Sequence, residues 1–225
     1  MRDLSVRHIQ ALVTGRYLVR PTAYSQPGSL LVGFHGYAEN AEDHLEALLA
    51  IPGIESWHVV AIQALHPFYR RRTNDVGASW MTSLDRDRAI ADNVRYVGAV
   101  VEQVRAELSI EGPMAAIGFS QGTSMAYRAA ATSGHVFNGV VVLGGDLPED
   151  AVVGVAKGFP RVLIGRGAGD EWYSAEKLTM DIERLGAVGV EPETCVFPGG
   201  HEWTEQFREA CGRFLAALQV GVFPR

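Results

Sequence analysis

Short apolar runs that alternate with helical patterns constrain the fold of this chain more than any other feature. The runs at 29–34, 59–64 and 114–119 are almost entirely apolar, rather than alternately apolar and polar, and helical patterns lie between them. A strand has this composition when both faces of its sheet are covered, as in parallel sheets. The sequence therefore predicts an α/β fold with a mostly parallel central sheet and helices on both faces.

Cap and turn residues divide the rest of the chain into the same kinds of element. Asn40 is a suitable N-cap, and Pro52 ends the helix that follows it. The clearest helix, 85–108, has one apolar stripe opposite charged residues, with Asp85 or Asp87 at its start. Residues 66–83 lack periodicity and are predicted to form a long loop. Further strands are predicted at 16–19, 139–143, 161–165 and 194–197, and further helices at 121–131, 174–185 and 202–218.

Composition narrows the classes of function. The 225 residues are 47% hydrophobic and 20% charged, and no linker divides them, so we expect one domain spanning 1–225. The net charge of -6 and the pI near 5.6 give no long-range attraction to phosphate backbones, which makes nucleic acid a poor partner. The basic cluster Arg70, Arg71 and Arg72 is either a solvated loop or a site for an anionic substrate group.

The sequence also bears on location and redox state. No apolar run approaches the roughly 20 residues that span a bilayer, and the segment MRDLSVRHIQ lacks the apolar region of a signal peptide. We therefore expect a cytoplasmic protein without stable membrane insertion. Cys195 and Cys211 are expected to be reduced and buried, and neither has the spacing of a metal site.

A GxSxG motif, residues 118–122, lies between a predicted strand and a predicted helix. A serine on a sharp strand-to-helix turn brings the two elements so close that the residues two before and two after it must lack bulk. Gly118 and Gly122 satisfy this requirement. The context predicts that Ser120 is a catalytic nucleophile, whereas the motif alone would indicate only a glycine-rich turn.

A serine nucleophile needs a base and a carboxylate that orients the base. Asp170 follows one predicted strand and His201 follows the last one, which gives the order serine, aspartate, histidine found in α/β-hydrolases. Of the seven histidines, only His201 lies after the last strand. Asp146, which also follows a strand, and Glu171 are the alternative carboxylates.

Two backbone amides are expected to hold the oxyanion that forms when serine attacks a carbonyl. Gln121 supplies one, because its amide follows the nucleophile at the start of a helix. The loop FHGYAEN supplies the other, with the amide of Tyr37 as the donor and His35 as a residue that stabilises the loop. Trp80, Trp172 and Trp203 are candidates to line the substrate pocket, although each could instead pack a loop against the body of the protein.

These motifs resemble those of the phospholipase/carboxylesterase family of α/β-hydrolases, which includes acyl-protein thioesterases and small bacterial carboxylesterases. The resemblance covers most of the chain, through the segments GFHGYAEN, IGFSQG, GAGDEWYSAEKL and FPGGHEW. It implies an α/β-hydrolase fold with little or no lid. It also implies hydrolysis of small esters or thioesters through an acyl-serine intermediate, without a metal or other cofactor.

The chain departs from the family pattern at three places. Thr123 stands where the family usually has a second glycine, and Glu202 follows His201 where a small residue is common. Gly144 and Gly145 stand where relatives often have a serine and a glycine. These changes bear on substrate choice more than on mechanism. An acyltransferase, a peptidase and a non-catalytic binding module on the same fold are the alternative functions, and the sequence is compatible with a homodimer.

Overall fold

A seven-stranded sheet forms the centre of the protein, which we describe from a computed structural model covering residues 4–24, 28–153 and 159–221. The strands of this sheet are β1 Tyr17–Arg20, β2 Ser29–Phe34, β3 Trp57–Ile62, β6 Met114–Phe119, β7 Gly139–Leu143, β8 Arg161–Gly167 and β9 Glu193–Phe197. Their order in the sheet is β1-β3-β2-β6-β7-β8-β9. β1 pairs with β3 in the antiparallel sense, and the other neighbours are parallel.

Helices cover both faces of this sheet. Along β2, Leu30, Val32 and Phe34 enter one apolar core, while Leu31 enters the other. The helices are α1 Ala41–Leu49, α2 Arg86–Leu108, α3 Gln121–Thr132, α4 Glu149–Val153, α5 Ala175–Gly186 and α6 Glu205–Val220. The first core contains residues of α2, α3 and α5, and the second contains residues of α1 and α6. The predicted fold class is thus confirmed.

Local sequence signals set most helix boundaries. Asn40 caps α1 by accepting a hydrogen bond from the Asp43 amide. α6 begins three residues later than predicted, because Thr204 is its N-cap. Asp85 precedes α2 in the left-handed region, with φ 47°, and its side chain does not cap the helix but contacts His8 at 2.9 Å.

The prediction of a long loop at 66–83 is wrong. His66–Tyr69 and Val76–Ser79 form an antiparallel hairpin, β4 and β5, outside the main sheet. Its outer strand β4 is largely exposed, so it lacks the apolar alternation that marks a strand with one buried face. The prediction for Cys195 also needs correction, since this thiol is only half-buried, whereas Cys211 is fully buried.

Candidate active site

Ser120 occupies the sharp turn between β6 and α3. Its backbone angles, φ 53° and ψ -118°, lie in a region that non-glycine residues rarely adopt, and its amide donates to the Leu143 carbonyl at 2.8 Å. A Cβ atom on Gly122 would lie 2.0 Å from the Phe34 carbonyl oxygen, so β2 and α3 can approach each other only with glycine there. The strained turn therefore depends on the glycines that flank the serine.

Asp170 and His201 meet at the carboxyl ends of β8 and β9. One carboxylate oxygen of Asp170, Oδ2, lies 2.8 Å from His201 Nδ1. The other, Oδ1, accepts hydrogen bonds from the Trp172 and Tyr173 amides at 2.9 and 3.0 Å. Since the carboxylate accepts from Nδ1, the neutral ring keeps its Nε2 lone pair available as a base.

The alternative carboxylates are placed elsewhere. Asp146 is exposed and forms an ion pair with Lys177 at 3.2 Å, and Glu171 is exposed. Asp170, by contrast, is 4% exposed. Of these three candidates, only Asp170 contacts the His201 ring.

Ser120 and His201 line the same open cleft, which has a volume of about 480 Å³. Within the described residues, the Ser120 hydroxyl makes no hydrogen bond to the ring. The ring packs against Phe119, with 4.9 Å between centroids, and against Gly144. A Cβ on Gly144 would lie 2.9 Å from the ring, and its φ of 65° also favours glycine. This contact explains why a glycine suits this position.

We use the term oxyanion side for residues 35–40 together with the β4–β5 hairpin. In the part of the chain that the structure describes, neither the Tyr37 amide nor the Gln121 amide donates to a protein atom, so both remain available to a ligand.

His35 is fully buried and lies in the predicted loop-stabilising position. Its Nδ1 donates to the Gly36 carbonyl at 2.7 Å and its Nε2 accepts from the Ala64 amide at 3.1 Å. Burial lowers the pKa of His35 to about 4, so the ring is neutral.

The hairpin, which the sequence did not reveal, holds the oxyanion loop from outside. The Ala38 amide donates to Ala78, and the Ala78 amide donates to Glu39, at 3.0 and 2.8 Å. This pairing fixes Ala38 at a φ of 63°. The Gln121 side chain binds the segment that follows β5. It accepts a hydrogen bond from the Trp80 amide and donates one to the Met81 carbonyl, each at 2.9 Å.

We use the term acid side for residues 167–173 and 199–203. Behind it lies a buried polar group that the sequence also did not reveal. The Tyr173 hydroxyl donates to Asp181 at 2.9 Å, and the same carboxylate oxygen accepts from the Leu147 amide at 2.9 Å. Burial raises the pKa of Asp181, although both hydrogen bonds oppose the rise. Arg166 donates to the Tyr173 and Ala168 carbonyls, so the loop that carries Asp170 is fixed at both ends.

The three tryptophans predicted to line the pocket have different positions. Trp172 lines the cleft with 76% of its surface exposed. Trp80 is fully buried and donates to the His35 carbonyl at 2.8 Å, so it cannot contact a ligand in the cleft. Trp203 is half-buried, packs on Phe119 and Phe207, and does not line the cleft. Trp80 and Trp203 therefore pack loops against the body, which is the alternative that the sequence left open for them.

The basic cluster occupies the tip of the hairpin. Arg70 forms an ion pair with Asp43 at 2.9 Å, while Arg71 and Arg72 are exposed. None of the three lines the cleft that contains Ser120.

Within the described residues, no three histidine, cysteine or acidic side chains are grouped so that they could hold a metal ion. In the same part of the chain, no helix combines the length and the apolarity needed to cross a membrane.

Comparison with known proteins identifies the fold. No protein-family model matches the sequence. Among solved structures, esterase PE8 aligns with a TM-score of 0.75 and 20% identity, over 92% of this chain and 100% of that protein. The chain has the α/β-hydrolase fold. A Bacillus cereus carboxylesterase aligns with a TM-score of 0.71 and 14% identity, over 91% and 94% of the two chains. Zea mays acyl-protein thioesterase 2 aligns with a TM-score of 0.68 and 16% identity, over 92% and 100%.

Proposed function

We propose that this α/β-hydrolase is a serine hydrolase that cleaves carboxylic esters or thioesters through an acyl-serine intermediate. The observation that carries the proposal is the Asp170 carboxylate, which binds two loop amides and His201 Nδ1 beside the cleft that contains the strained Ser120. The esterases and the thioesterase among the structural neighbours support the same class of reaction.

In the proposed reaction, Ser120 Oγ attacks the substrate carbonyl carbon while its proton passes to His201 Nε2. Asp170 stabilises the imidazolium that forms, and the amides of Tyr37 and Gln121 donate to the oxyanion. The C–O or C–S bond then breaks as His201 returns the proton to the leaving group. Water, deprotonated by His201, then attacks the acyl carbon. The bond between this carbon and Ser120 Oγ breaks as His201 returns the proton to Oγ, and the carboxylic acid is released. The first step requires the Ser120 hydroxyl to come within hydrogen-bond distance of His201 Nε2.

Replacement of Ser120 tests the proposal directly. Ser120→Ala should reduce hydrolysis of p-nitrophenyl butyrate by at least about 10⁴-fold and abolish labelling by a fluorophosphonate. Ser124→Ala is the matched control, because Ser124 also lines the cleft but its hydroxyl donates to the Gln121 carbonyl at 3.0 Å. Labelling of the Ser120→Ala protein at the wild-type level would refute the assignment. Release of free butyrate in plain buffer distinguishes a hydrolase from an acyltransferase.

A further inference from the structure

The lining of the cleft around Ser120 mixes charged and polar side chains with a few apolar ones. The charged and polar residues include Thr82 and Ser83, which precede α2, Arg86, its first residue, and Asp146 and Lys177. The main apolar side chains on the lining are Met81, Pro148 and Trp172. A long alkyl chain gains binding energy only where each methylene leaves water for an apolar wall. This cleft therefore suits a short substrate better than a long acyl chain.

The two cations that line the cleft, Lys177 and Arg86, differ in their partners. Lys177 Nζ lies 3.2 Å from Asp146 and donates to the Trp172 carbonyl at 2.8 Å, so this ammonium group is already paired. Arg86 is exposed, and within the described residues its guanidinium makes no hydrogen bond or ion pair. The buried Arg128 holds Asp150 through two bonds of 2.6 and 2.8 Å and thereby lowers the pKa of this carboxyl, and the charge of Arg86 lowers it further.

Within the described residues, Arg86 is therefore the cleft cation that no side chain holds by a hydrogen bond or an ion pair, and it lines the same cleft as the proposed nucleophile of a chain whose net charge is -6. A guanidinium binds a carboxylate through two parallel hydrogen bonds, a geometry that other polar groups do not match. Charge confined to a cleft of about 480 Å³ also concentrates an anionic substrate near Ser120.

We propose that Arg86 determines specificity by binding a carboxylate of the substrate, so that the enzyme takes short esters or thioesters that carry a second, free carboxylate. The inference rests on the proposed hydrolase function and adds the substrate class. Arg86 recognises the distal carboxylate while the scissile carbonyl lies between Ser120 and the two oxyanion amides.

Two matched substrate pairs test the inference. Monoethyl glutarate and ethyl pentanoate have acyl chains of equal length. The first chain ends in a carboxylate, and the second ends in a methyl group. 3-Butanoyloxypropanoate and propyl butanoate make the same comparison on the alcohol side. For at least one pair we expect the wild type to prefer the charged ester by about tenfold in kcat/KM, measured by chromatography of the released acid. The preference should weaken as salt concentration rises.

Substitution of Arg86 should change the ratio within the preferred pair. Arg86→Gln should bring it close to one, Arg86→Glu should bring it below one, and Arg86→Lys should retain part of it. Arg88→Gln is the matched control, since Arg88 is an exposed arginine on α2 that does not line the cleft, and it should keep the wild-type ratio.

The outcomes separate the inference from the proposed function. Equal rates within both pairs, with activity that depends on Ser120, would overturn the substrate class and leave the hydrolase intact. A preference that survives Arg86→Gln would overturn the role of Arg86. Absence of Ser120-dependent hydrolysis of all four esters, and of p-nitrophenyl butyrate, would overturn the proposed function itself.

Discussion

The oxyanion side and the acid side of the cleft are both built from loops that follow parallel strands, but they are held in opposite ways. On the acid side, Asp170 organises its own loop, because one carboxylate oxygen binds the loop amides and the other binds His201. On the oxyanion side, the hairpin binds the loop backbone from outside, and the Gln121 side chain in turn binds the segment after β5 at Trp80 and Met81. The functional carboxylate thus organises the loop on one side, whereas the donor loop on the other side depends on a separate hairpin in addition to His35.

The comparison predicts that, after Ser120 and His201, Asp170 is the most sensitive position of the site. Asp170→Asn should lower kcat by about 10³- to 10⁴-fold, because an amide at this position no longer stabilises the imidazolium or fixes its tautomer. The matched control is Asp146→Asn, which removes an exposed carboxylate paired with Lys177 and should change kcat by less than about threefold. Steady-state kinetics on p-nitrophenyl butyrate measures both. A larger loss for Asp146→Asn would make Asp146 the better candidate.

The oxyanion side should lose stability in acid, because it contains the buried neutral His35. Its pKa of about 4 lies below the ordinary value near 6.5, so between these values the unfolded chain binds the extra proton. The contribution of His35 to stability is therefore complete above about pH 6.5 and is lost as the pH falls towards 4, by up to about 1.4 kcal/mol for each pH unit.

Urea unfolding at several pH values between 7 and 4 tests this expectation. His35→Gln preserves an acceptor for the Ala64 amide and should flatten the dependence of the unfolding free energy on pH. His66→Gln replaces an exposed histidine on β4 and should leave the dependence as in the wild type. An unchanged slope in His35→Gln would mean that His35 is not the group whose protonation destabilises the fold.

The buried polar group behind the acid side should affect turnover through Asp170. Tyr173→Phe removes one hydrogen bond to Asp181, which should cost about 1–2 kcal/mol of stability and lower kcat about tenfold, with KM nearly unchanged. Tyr127→Phe is the control, because the buried Tyr127 hydroxyl has no partner within the described residues. If both variants lose stability but neither loses kcat, Tyr173 supports the fold without positioning the carboxylate.

The smallest expected effect is at Ala38, where the hairpin imposes a left-handed backbone. Ala38→Gly should relieve about 1–2 kcal/mol of backbone strain in the folded state. The greater conformational entropy of glycine stabilises the unfolded chain and should offset about half of this gain. A net stabilisation of about 0.5–1 kcal/mol should appear in urea unfolding. Ala91→Gly, at an exposed site in α2, should instead destabilise by about 1 kcal/mol. Destabilisation by Ala38→Gly would indicate that the hairpin contacts do not strain this residue.

The same contrast explains how far the sequence could predict the structure. The apolar strands, the Asn40 cap and the glycines around Ser120 act through neighbouring residues, so their patterns are visible in the sequence. The placement of Asp170 beside His201 followed from the rule that parallel strands end at one edge. The clamp from β5 to Ala38 consists of backbone hydrogen bonds across about 40 residues, which leave no residue pattern. The links from Gln121 to Met81 and from Tyr173 to Asp181 depend on tertiary packing in the same way.

The hairpin that holds the oxyanion loop ends in an exposed tip at residues 71–75, away from the cleft. Its two strands run from this solvent-facing turn to the backbone beside Tyr37, and Arg70 anchors the base of the tip to α1. We expect a peptide insertion or a bulky label at the tip to act on the backbone beside Tyr37 through the hairpin, without entering the cleft. The hairpin tip is therefore a site outside the cleft at which an insertion or a label can be used to alter turnover or to report on it.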